Sequence, residues 1–386
     1  SRGLGDVYKR QDGGGGVMQI EKFTNLYRDV TKEGTKIPQE KYCLTGQFPI
    51  VDQGQRVIAG WWNDDAGIFK NVPAIIFGDH TRAIKYMEQP FFIGADGVKI
   101  LRPTNIKDNP KYLYYALQAA KIPNLGYSRH FKVVKELQIC IYSRDEQNEI
   151  VRVLEKIDYL IEQRHAETTY LDQLVKSRFI ELFGDPMTDV SKWSASTIGE
   201  QFNVSSGGTP ATGEKAYWEN GTIPWIGSNM CQDTMLSEND GKFITEEGYA
   251  HSSAKWFHKG TVLVALVGAT IGKTALLRFD TTTNQNIAAI DVTQNAAFSS
   301  EFVFYHMQML YSKFMEIGSG KFKMANQGFI RQLPLICPPI EFQEQFAAFV
   351  EQTDKSKYYS SLSFRYCQAA ANTYRQEWMT CRTSDF

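Results

Sequence analysis

The sequence predicts an α+β protein in which two similar β-rich domains alternate with two long helices. The chain of 386 residues is long enough for two domains of ordinary size. A segment of nearly forty residues, 145–183, has apolar residues at seven of ten positions with helical spacing, and the pattern is weaker in its middle. The start of that segment reappears 196 residues later, again behind a β-rich region. Duplication on this scale indicates two similar domains related by pseudo-symmetry.

The first predicted helix covers residues 145–184. It begins at a capping box, since Ser143 stands three residues before Glu146, and Gly184 followed by Pro186 marks its end. About forty residues give a rod of roughly 55–60 Å, which one small domain does not cover. We therefore expect a partner helix, the alternative being an ordinary long core helix. The seam residues expected in that contact are Ile150, Leu154, Ile157, Ile161, Leu171, Val175 and Leu182.

The duplication extends upstream of the helix. The octapeptide KYLYYALQ at 111–118 matches EFVFYHMQ at 301–308. The β-rich regions of the two copies contain strand-like apolar runs, namely PAIIFG (73–78) and VKIL (98–101) in the first and TVLVALVG (261–268) and IAAIDV (287–292) in the second. The second helix has apolar residues at helical spacing, Phe346, Phe349 and Val350. This apolar seam is lost after about residue 360.

These patterns define the predicted organisation of the chain. Residues 1–16 lack helical periodicity and a methionine and resemble a cloning junction, so we expect a non-native leader there. The remaining boundaries are a first domain at 17–144, a helix at 145–184, a second domain at 185–340 and a helix at 341–386 that is atypical after about 360.

Composition narrows the class of protein. The net charge is −1, and 42% of residues are hydrophobic, as in ordinary globular proteins. No run of about 18 uncharged apolar residues occurs, so we expect no membrane segment. The six cysteines show no CxxC spacing, which argues against a zinc site and a disulfide scaffold and fits the cytoplasm. A balanced charge still allows basic residues to gather on one face that binds nucleic acid.

One stretch imitates a nucleotide-binding loop. Gly268-Ala-Thr-Ile-Gly-Lys-Thr274 has three residues between its first glycine and the Gly-Lys pair, where a P-loop needs four. The residues that follow resemble a strand and not the helix that a P-loop opens. We predict a tight β-turn whose glycines and Lys273 can approach a phosphate group that is not part of a bound nucleotide.

Other catalytic motifs are missing from the sequence. Cys337-Pro-Pro-Ile340 lacks the acidic or amide residue before the two prolines and the aromatic residue after them that a methyltransferase motif has. The carboxylate pairs Asp64-Asp65 and Glu246-Glu247 have no further carboxylates nearby that would complete the metal site of a nuclease. The six histidines lack ligand spacing, and no GxSxG elbow occurs. We therefore predict no catalytic residue, no metal and no cofactor.

Polar, glycine-containing loops recur in both halves instead. Arg and Lys pair with guanine or phosphate, Asn and Gln pair with adenine, and glycine allows close approach of the backbone. An ordinary surface turn is the alternative for each loop taken singly. The predicted DNA-binding residues are Gln53, Gln55, Arg56, Arg82, Arg129, Ser206, Thr209, Ser228, Asn229, Thr270, Lys273, Asn284, Gln285, Asn286 and Lys321.

Several motifs occur in a fixed order along the duplicated chain. They are Ser205-Ser-Gly-Gly-Thr-Pro210, Ile223-Pro-Trp-Ile226, Val267–Thr274, Asn284-Gln-Asn-Ile287 and the segment Leu333–Gln345 that enters the second helix. By the order of these motifs and by the duplication, the chain resembles, over roughly residues 20–358, the DNA-specificity subunit of type I restriction-modification systems.

The resemblance implies two target-recognition domains that each recognise one half of a bipartite site in double-stranded DNA. It implies that the two long helices run antiparallel, set the spacing of the half-sites and bind two modification (methyltransferase) subunits. Restriction subunits would supply the motor and the nuclease, so this chain would have no catalysis of its own. After about residue 360, the second helix departs from the family's pattern.

Two other classes of function remain as alternatives. One is a stand-alone nucleotide-binding or methyltransferase enzyme, supported only by the loop at Gly268. The other is a carbohydrate- or protein-binding repeat module, since aromatic residues at 13% can also line sugar sites.

Overall fold

The computed structural model describes residues 18–94, 96–188, 192–317 and 324–379. The chain forms two units: unit 1 comprises the described residues of Ser1–His165 and Leu362–Phe386, and unit 2 comprises those of Ala166–Ser361. The predicted leader at 1–16 lies outside the described residues. Among the helices that the structure describes, none is long and apolar enough to cross a membrane.

Unit 1 combines small sheets with short helices and the first part of a long helix. Its elements are β1 (Gln19–Lys22), α1 (Phe23–Leu26), β2 (Tyr27–Asp29), β3 (Phe48–Val51), β4 (Gly60–Trp62), β5 (Ala74–Gly78), β6 (Ile84–Met87), β7 (Phe92–Ile93), β8 (Val98–Pro103), α2 (Pro110–Ala119), α3 (Phe131–Val134), β9 (Gln138–Ile141) and α4 (Arg144–Phe183). Residues of α4 from Ala166 onward belong to unit 2.

Unit 2 has a similar order of elements. It contains β10 (Ser194–Thr197), α5 (Ile198–Gln201), β11 (Asn203–Ser205), β12 (Ile223–Ile226), β13 (Thr234–Leu236), β14 (Phe243–Ile244), α6 (Glu246–Ala250), β15 (Trp256–Phe257), β16 (Val262–Ala265), β17 (Thr274–Leu277), β18 (Thr281–Thr283), β19 (Ile287–Asp291), α7 (Ser300–Met309), α8 (Tyr311–Met315), α9 (Gln327–Gln332), β20 (Pro334–Cys337) and α10 (Ile340–Met379). Of these, β13, α6, β15 and one short helix are additional to the elements of unit 1. Residues of α10 from Leu362 onward belong to unit 1.

The two units share a sheet topology, as the repeated sequence predicts. The order β2-β8-β5-β6 in unit 1 corresponds to β11-β19-β16-β17-β13 in unit 2, with antiparallel pairing throughout except at the added strand β13. A second sheet, β4-β3-β7, corresponds to β14-β12-β18-β15, and the corresponding pairs β3·β7 and β12·β18 are both parallel. A short antiparallel pair, β1·β9 or β10·β20, precedes each long helix. The predicted strands at 73–78, 98–101, 261–268 and 287–292 are β5, β8, β16 and β19.

Helix α4 begins and ends where the sequence predicts. The backbone amide of Ser143 donates to the Glu146 carboxylate at 3.1 Å, and the Glu146 amide donates to the Ser143 hydroxyl at 3.4 Å. These reciprocal bonds are a capping box, which pairs two amides that have no partner inside the helix. Gly184 follows the last residue with φ +82°, a left-handed conformation that favours glycine.

The predicted seam residues contribute unequally to the cores. In unit 1, Ile150 and Leu154 are buried in a core with residues of α1, α2 and β5. In unit 2, Val175 is buried with Phe346 and Val350, and Leu182 and Phe349 pack partly buried against the same core. Ile157, Ile161 and Leu171 are half-buried.

Helix α10 continues beyond the point where the sequence seam is lost. It ends at Met379, and Ser360, Ala371 and Met379 are buried. The hydroxyl of Ser360 donates to Glu167 at 3.1 Å in unit 2, and Met379 packs into the unit 1 core. The apolar seam is lost in the sequence after about residue 360 because small residues such as Ser360 and Ala371 occupy buried positions of the helix there.

Candidate nucleic-acid interface

In unit 1, loops that follow different strands meet around Gln53. The hydroxyl of Thr81 donates to the carbonyl of Gln53, and the amide of His80 donates to Gln53 Oε1 at 3.3 Å. The amide of Asp79 donates to the carbonyl of Gly97 at 2.6 Å. The loops after β3, between β5 and β6, and between β7 and β8 therefore form one surface, which we call the unit 1 loop cluster.

A further loop joins this cluster through a buried histidine. His130 is fully buried, its Nδ1 lies 2.9 Å from the carbonyl of Asp79, and its Nε2 accepts from the amide of Leu125 at 3.1 Å. Since Nε2 accepts, Nδ1 carries the proton and donates to Asp79. This loop presents Tyr127, which is 95% exposed and stacks on the ring of His80 with centroids 5.2 Å apart.

The predicted unit 1 residues differ in their availability to a ligand. Gln55 and Arg56 are exposed beside Gln53. Arg82 is half-buried with φ +61°, and its guanidinium donates to the carbonyl of Ile122 at 3.1 Å, so it fastens one loop to another. Arg129 is exposed and, after the larger effect of Lys36, helps to lower the pKa of Asp96.

An ion pair between a buried lysine and a partly exposed aspartate supports the loop after β3. The ammonium of Lys85 donates to the carbonyl of Asp52 at 2.7 Å and lies 3.4 Å from its carboxylate. Burial lowers the pKa of Lys85, and Asp52 opposes that shift. Asp52 Oδ1 also accepts from the amide of Gly54 at 2.8 Å, so the turn that carries Gln53 is fixed at both ends.

In unit 2, the loop at 205–210 is held tightly by its surroundings. A Cβ atom on Gly207 would lie 2.1 Å from the carbonyl oxygen of Thr283, and one on Gly208 would lie 2.0 Å from the hydroxyl of Ser253. The indole of Trp225 donates to the carbonyl of Gly208 at 3.1 Å. Only glycine fits at these two positions, which places Thr209 next to the loop after β18.

The loop after β18 joins several of the predicted residues. Thr209 donates to Gln285 Oε1 at 2.6 Å. The amide of Asn284 donates to Ile226 at the end of β12, and the carbonyl of Asn286 accepts from Leu266 at 2.9 Å. Ser228 and Asn229 lie in the short 3-10 turn after β12. These contacts bring Ser206, Thr209, Ser228, Asn229, Asn284, Gln285 and Asn286 to one surface, the unit 2 loop cluster.

The stretch that imitates a P-loop is the turn between β16 and β17. Gly268 and Gly272 have φ of +74° and +76°, and a strand follows at Thr274, as predicted. Thr270 lies in this turn, half-buried. Lys273 is not a free cation, because its ammonium is paired with Asp233 at 2.5 Å and lies 4.9 Å from the ring centre of Tyr311.

Several residues of these clusters escaped the sequence analysis. Gln327, which donates to the hydroxyl of Ser206 at 3.0 Å, joins the unit 2 loop cluster from the start of α9. Tyr127 and Asp233 were also missed. Exposure of a large aromatic ring has no sequence signature, and Asp233 is forty residues from the lysine that it pairs with. The predicted residue Lys321 lies outside the described residues.

Within the parts of the chain that the structure describes, no group of three or more His, Cys, Asp or Glu side chains is arranged to hold a metal ion. Both clusters are instead built from amides, hydroxyls, guanidinium groups and tight glycine turns. Such groups form hydrogen bonds with base edges and phosphates.

Comparison with known proteins agrees with this geometry. A family model described as "Type I restriction modification DNA specificity domain" matches residues 19–170 and 190–358. The EcoR124I/EcoR124II specificity subunit of Escherichia coli is 27% identical over 285 residues, covering 67% of each chain. The MjaIX specificity subunit of Methanocaldococcus jannaschii is 27% identical over 190 residues, covering 47% of this chain and 43% of that protein.

Solved structures share the fold. A type I restriction-modification S subunit from M. genitalium has a TM-score of 0.58 at 16% identity, covering 97% of this chain and 99% of that chain. A chain from a study of complex assembly and conformational transition of the type I system has a TM-score of 0.55 at 14% identity, covering 95% and 97%. The chain thus spans two thirds of the first curated relative, less than half of the second and nearly all of these solved chains.

Proposed function

Because the chain belongs to the family of type I restriction-modification DNA specificity domains, we propose that each of its units recognises one half of a bipartite site in double-stranded DNA. The family predicted from the sequence is confirmed, and so is the prediction of a specificity subunit that is not an enzyme, since the curated relatives are named specificity subunits. Methyltransferase, ATPase and nuclease activities then reside in partner subunits.

The observation that carries the proposal is the equivalent placement of the loop clusters. Gln53 follows β3, and Ser228 follows the corresponding strand β12. The turn between β5 and β6 corresponds to the turn between β16 and β17, and the loop after β7 corresponds to the loop after β18. Two similar surfaces with different side chains suit recognition of two different half-sites. We propose that the two recognition domains span residues 17–144 and 185–340.

We also propose that α4 and α10 pair as an antiparallel, coiled-coil-like spacer. In unit 2, Phe179 lies 5.5 Å from Phe346 between ring centres, Asp172 pairs with Lys357 at 2.7 Å, and Glu167 accepts from Ser360. In successive contacts, the residue number in α4 decreases while the residue number in α10 increases. This order supports an antiparallel arrangement of the two helices. Forty residues correspond to about 60 Å, more than one DNA turn of about 34–36 Å.

The partners follow from this assignment. We propose that two modification subunits dock on the long helices and that restriction subunits join the assembly. The complex acts on double-stranded DNA in the cytoplasm, without a membrane. No residue of this chain then takes up ATP or a methyl donor, which fits a turn at Gly268 that leads into a strand.

Binding to duplex DNA at several salt concentrations tests the proposal. The chain assembled with its modification subunits should bind a cognate duplex with an affinity that falls steeply with salt, because phosphate contacts release counterions. A scrambled duplex serves as the control and should bind more weakly. Equal binding of the two duplexes, or binding insensitive to salt, contradicts the assignment.

A further inference from the structure

The geometry points to a guanine contact by Gln285, with Thr209 as the residue that fixes the orientation of its amide. We infer that the two amide hydrogens of Gln285 face the two acceptors, N7 and O6, on the major-groove edge of a guanine. This inference rests on the proposed function and goes further, because it names a base and the device that selects it.

The first step is the direction of the hydrogen bond between the two side chains. The Thr209 hydroxyl donates to Gln285 Oε1 at 2.6 Å. The acceptor end of the amide is therefore turned into the protein, and the Nε2 donors remain for a ligand. Gln285 is exposed, whereas Thr209 is half-buried, so Gln285 is the member of the pair that reaches the solvent.

The second step is the rigidity of the backbone on both sides. Thr209 follows the glycines at 207 and 208, where a Cβ would collide with Thr283 and Ser253. On the other side, the amide of Asn286 donates to Asn284 Oδ1 at 3.1 Å, a turn that fixes the backbone around Gln285. Binding therefore costs little additional ordering of the amide, which is the advantage of a preorganised site.

The third step is the match with base edges. A glutamine that binds adenine accepts from N6 and donates to N7, so it needs its oxygen toward the base. Guanine offers two acceptors, N7 and O6, and needs only donors. With Oε1 bound to Thr209, the amide of Gln285 matches guanine and not adenine.

Variants of this pair test the inference in the full chain assembled with its modification subunits, with methylated sites determined by sequencing. At one position of the half-site recognised by unit 2, the wild-type complex should prefer guanine over adenine by about 5- to 150-fold. In Thr209→Val, Oε1 is released and the amide can turn, so adenine should be accepted at that position. Gln285→Ala should lose the discrimination, and Gln285→Glu, which presents acceptors, should reject guanine.

Two variants of exposed residues away from the cluster are the controls. Thr222→Val and Gln294→Ala make the same chemical changes in unit 2 at exposed positions that we assign to no contact with DNA, and both should leave the motif unchanged. Melting temperatures show whether each variant is folded, and Gln285, being exposed, can be changed even if Thr209→Val is unstable.

The outcomes separate this inference from the proposed function. If the wild-type complex methylates no bipartite motif, both the proposed function and the guanine contact are wrong. A bipartite motif that lacks a discriminated guanine in the unit 2 half-site, or that the Gln285 variants leave unchanged, overturns the guanine contact and leaves the proposed function standing.

Discussion

The ammonium of Lys273, in the turn between β16 and β17, lies 2.5 Å from the carboxylate of Asp233, the residue before β13. Both side chains are partly exposed, at 35% and 26%, so the pair is accessible to a ligand. Asp233 also accepts from the amide of Thr274 at 3.0 Å. A DNA phosphate that approaches Lys273 therefore competes with a carboxylate that the turn holds in place.

Substitutions of the two members of this pair should change the affinity for DNA in opposite directions. Lys273→Ala should weaken binding by the assembled complex and reduce the slope of log affinity against log salt by about 1, as for one lost phosphate contact. Asp233→Asn should strengthen binding, because it leaves the cation without its competitor. Calorimetry with ATP is the control and should show no nucleotide binding in either protein. Unchanged DNA binding in both variants at low and high salt counts against a phosphate contact at this turn.

The loop at 205–210 should depend on the absence of a side chain at Gly207. Gly207→Ala places a Cβ 2.1 Å from the carbonyl of Thr283, a backbone atom that cannot move aside cheaply. The displaced loop should then fail to discriminate its half-site, measured by competition between cognate and altered duplexes. Gly213→Ala is the matched control, since a Cβ there meets no atom within 4 Å. If the two variants prefer the cognate duplex equally, recognition does not depend on the position of the loop at 205–210.

The packing of the second part of α4 in the core of unit 2 should depend strongly on the aromatic ring of Phe179. Phe179 is fully buried and its ring lies near those of Phe183, Phe302 and Phe346. Phe179→Ala should lower the free energy of unfolding by about 3–5 kcal/mol. Its neighbour Ile180 is 43% exposed, and Ile180→Ala should cost less than about 1 kcal/mol. Urea denaturation measures both, and similar losses would show that Phe179 is not a core residue.

A buried histidine should make the stability of unit 2 dependent on pH. Burial lowers the pKa of His306 to about 4 from its ordinary value of 6.5, although a hydrogen bond from Nε2 to the carbonyl of Pro334 favours the charged form. The unfolded chain therefore binds more protons than the folded chain between these values. The contribution to stability is complete above about pH 6.5 and is lost as the pH falls toward 4.

The free energy of unfolding should accordingly fall by up to about 1.4 kcal/mol per pH unit in this window. His306→Gln should remove that part of the dependence, because an amide can donate to Pro334 and does not titrate. Chemical denaturation at several pH values measures the effect. Parallel pH profiles for the two proteins would show that His306 does not contribute.

The sequence predicts the features that depend on local patterns. The capping box at Ser143 and Glu146, the end of α4 at Gly184 and the strand after Gly272 each follow from neighbouring residues. The duplicated topology follows from repeated apolar runs. Local signals of this kind need no knowledge of the tertiary structure.

The remainder depends on contacts between distant residues. The second half of α10 has no apolar seam in the sequence, and the residues that it buries, Ala371 and Met379, lie in unit 1, whose other residues are far away in sequence. The pairing of Lys273 with Asp233 and the stacking of His80 on Tyr127 likewise join residues separated by forty or more positions. The loops were predicted as candidate sites, but which side chains of each loop are already paired could be learned only from the structure.

Domain exchange tests the central claim most directly. Residues 190–340 of this chain would be replaced by the corresponding domain of another member of the family, and methylated sites would be sequenced after expression with the modification subunits. Recognition of one half-site by each unit predicts that only one half of the motif changes, while the other half is retained. A change in both halves, or in neither, would contradict the account.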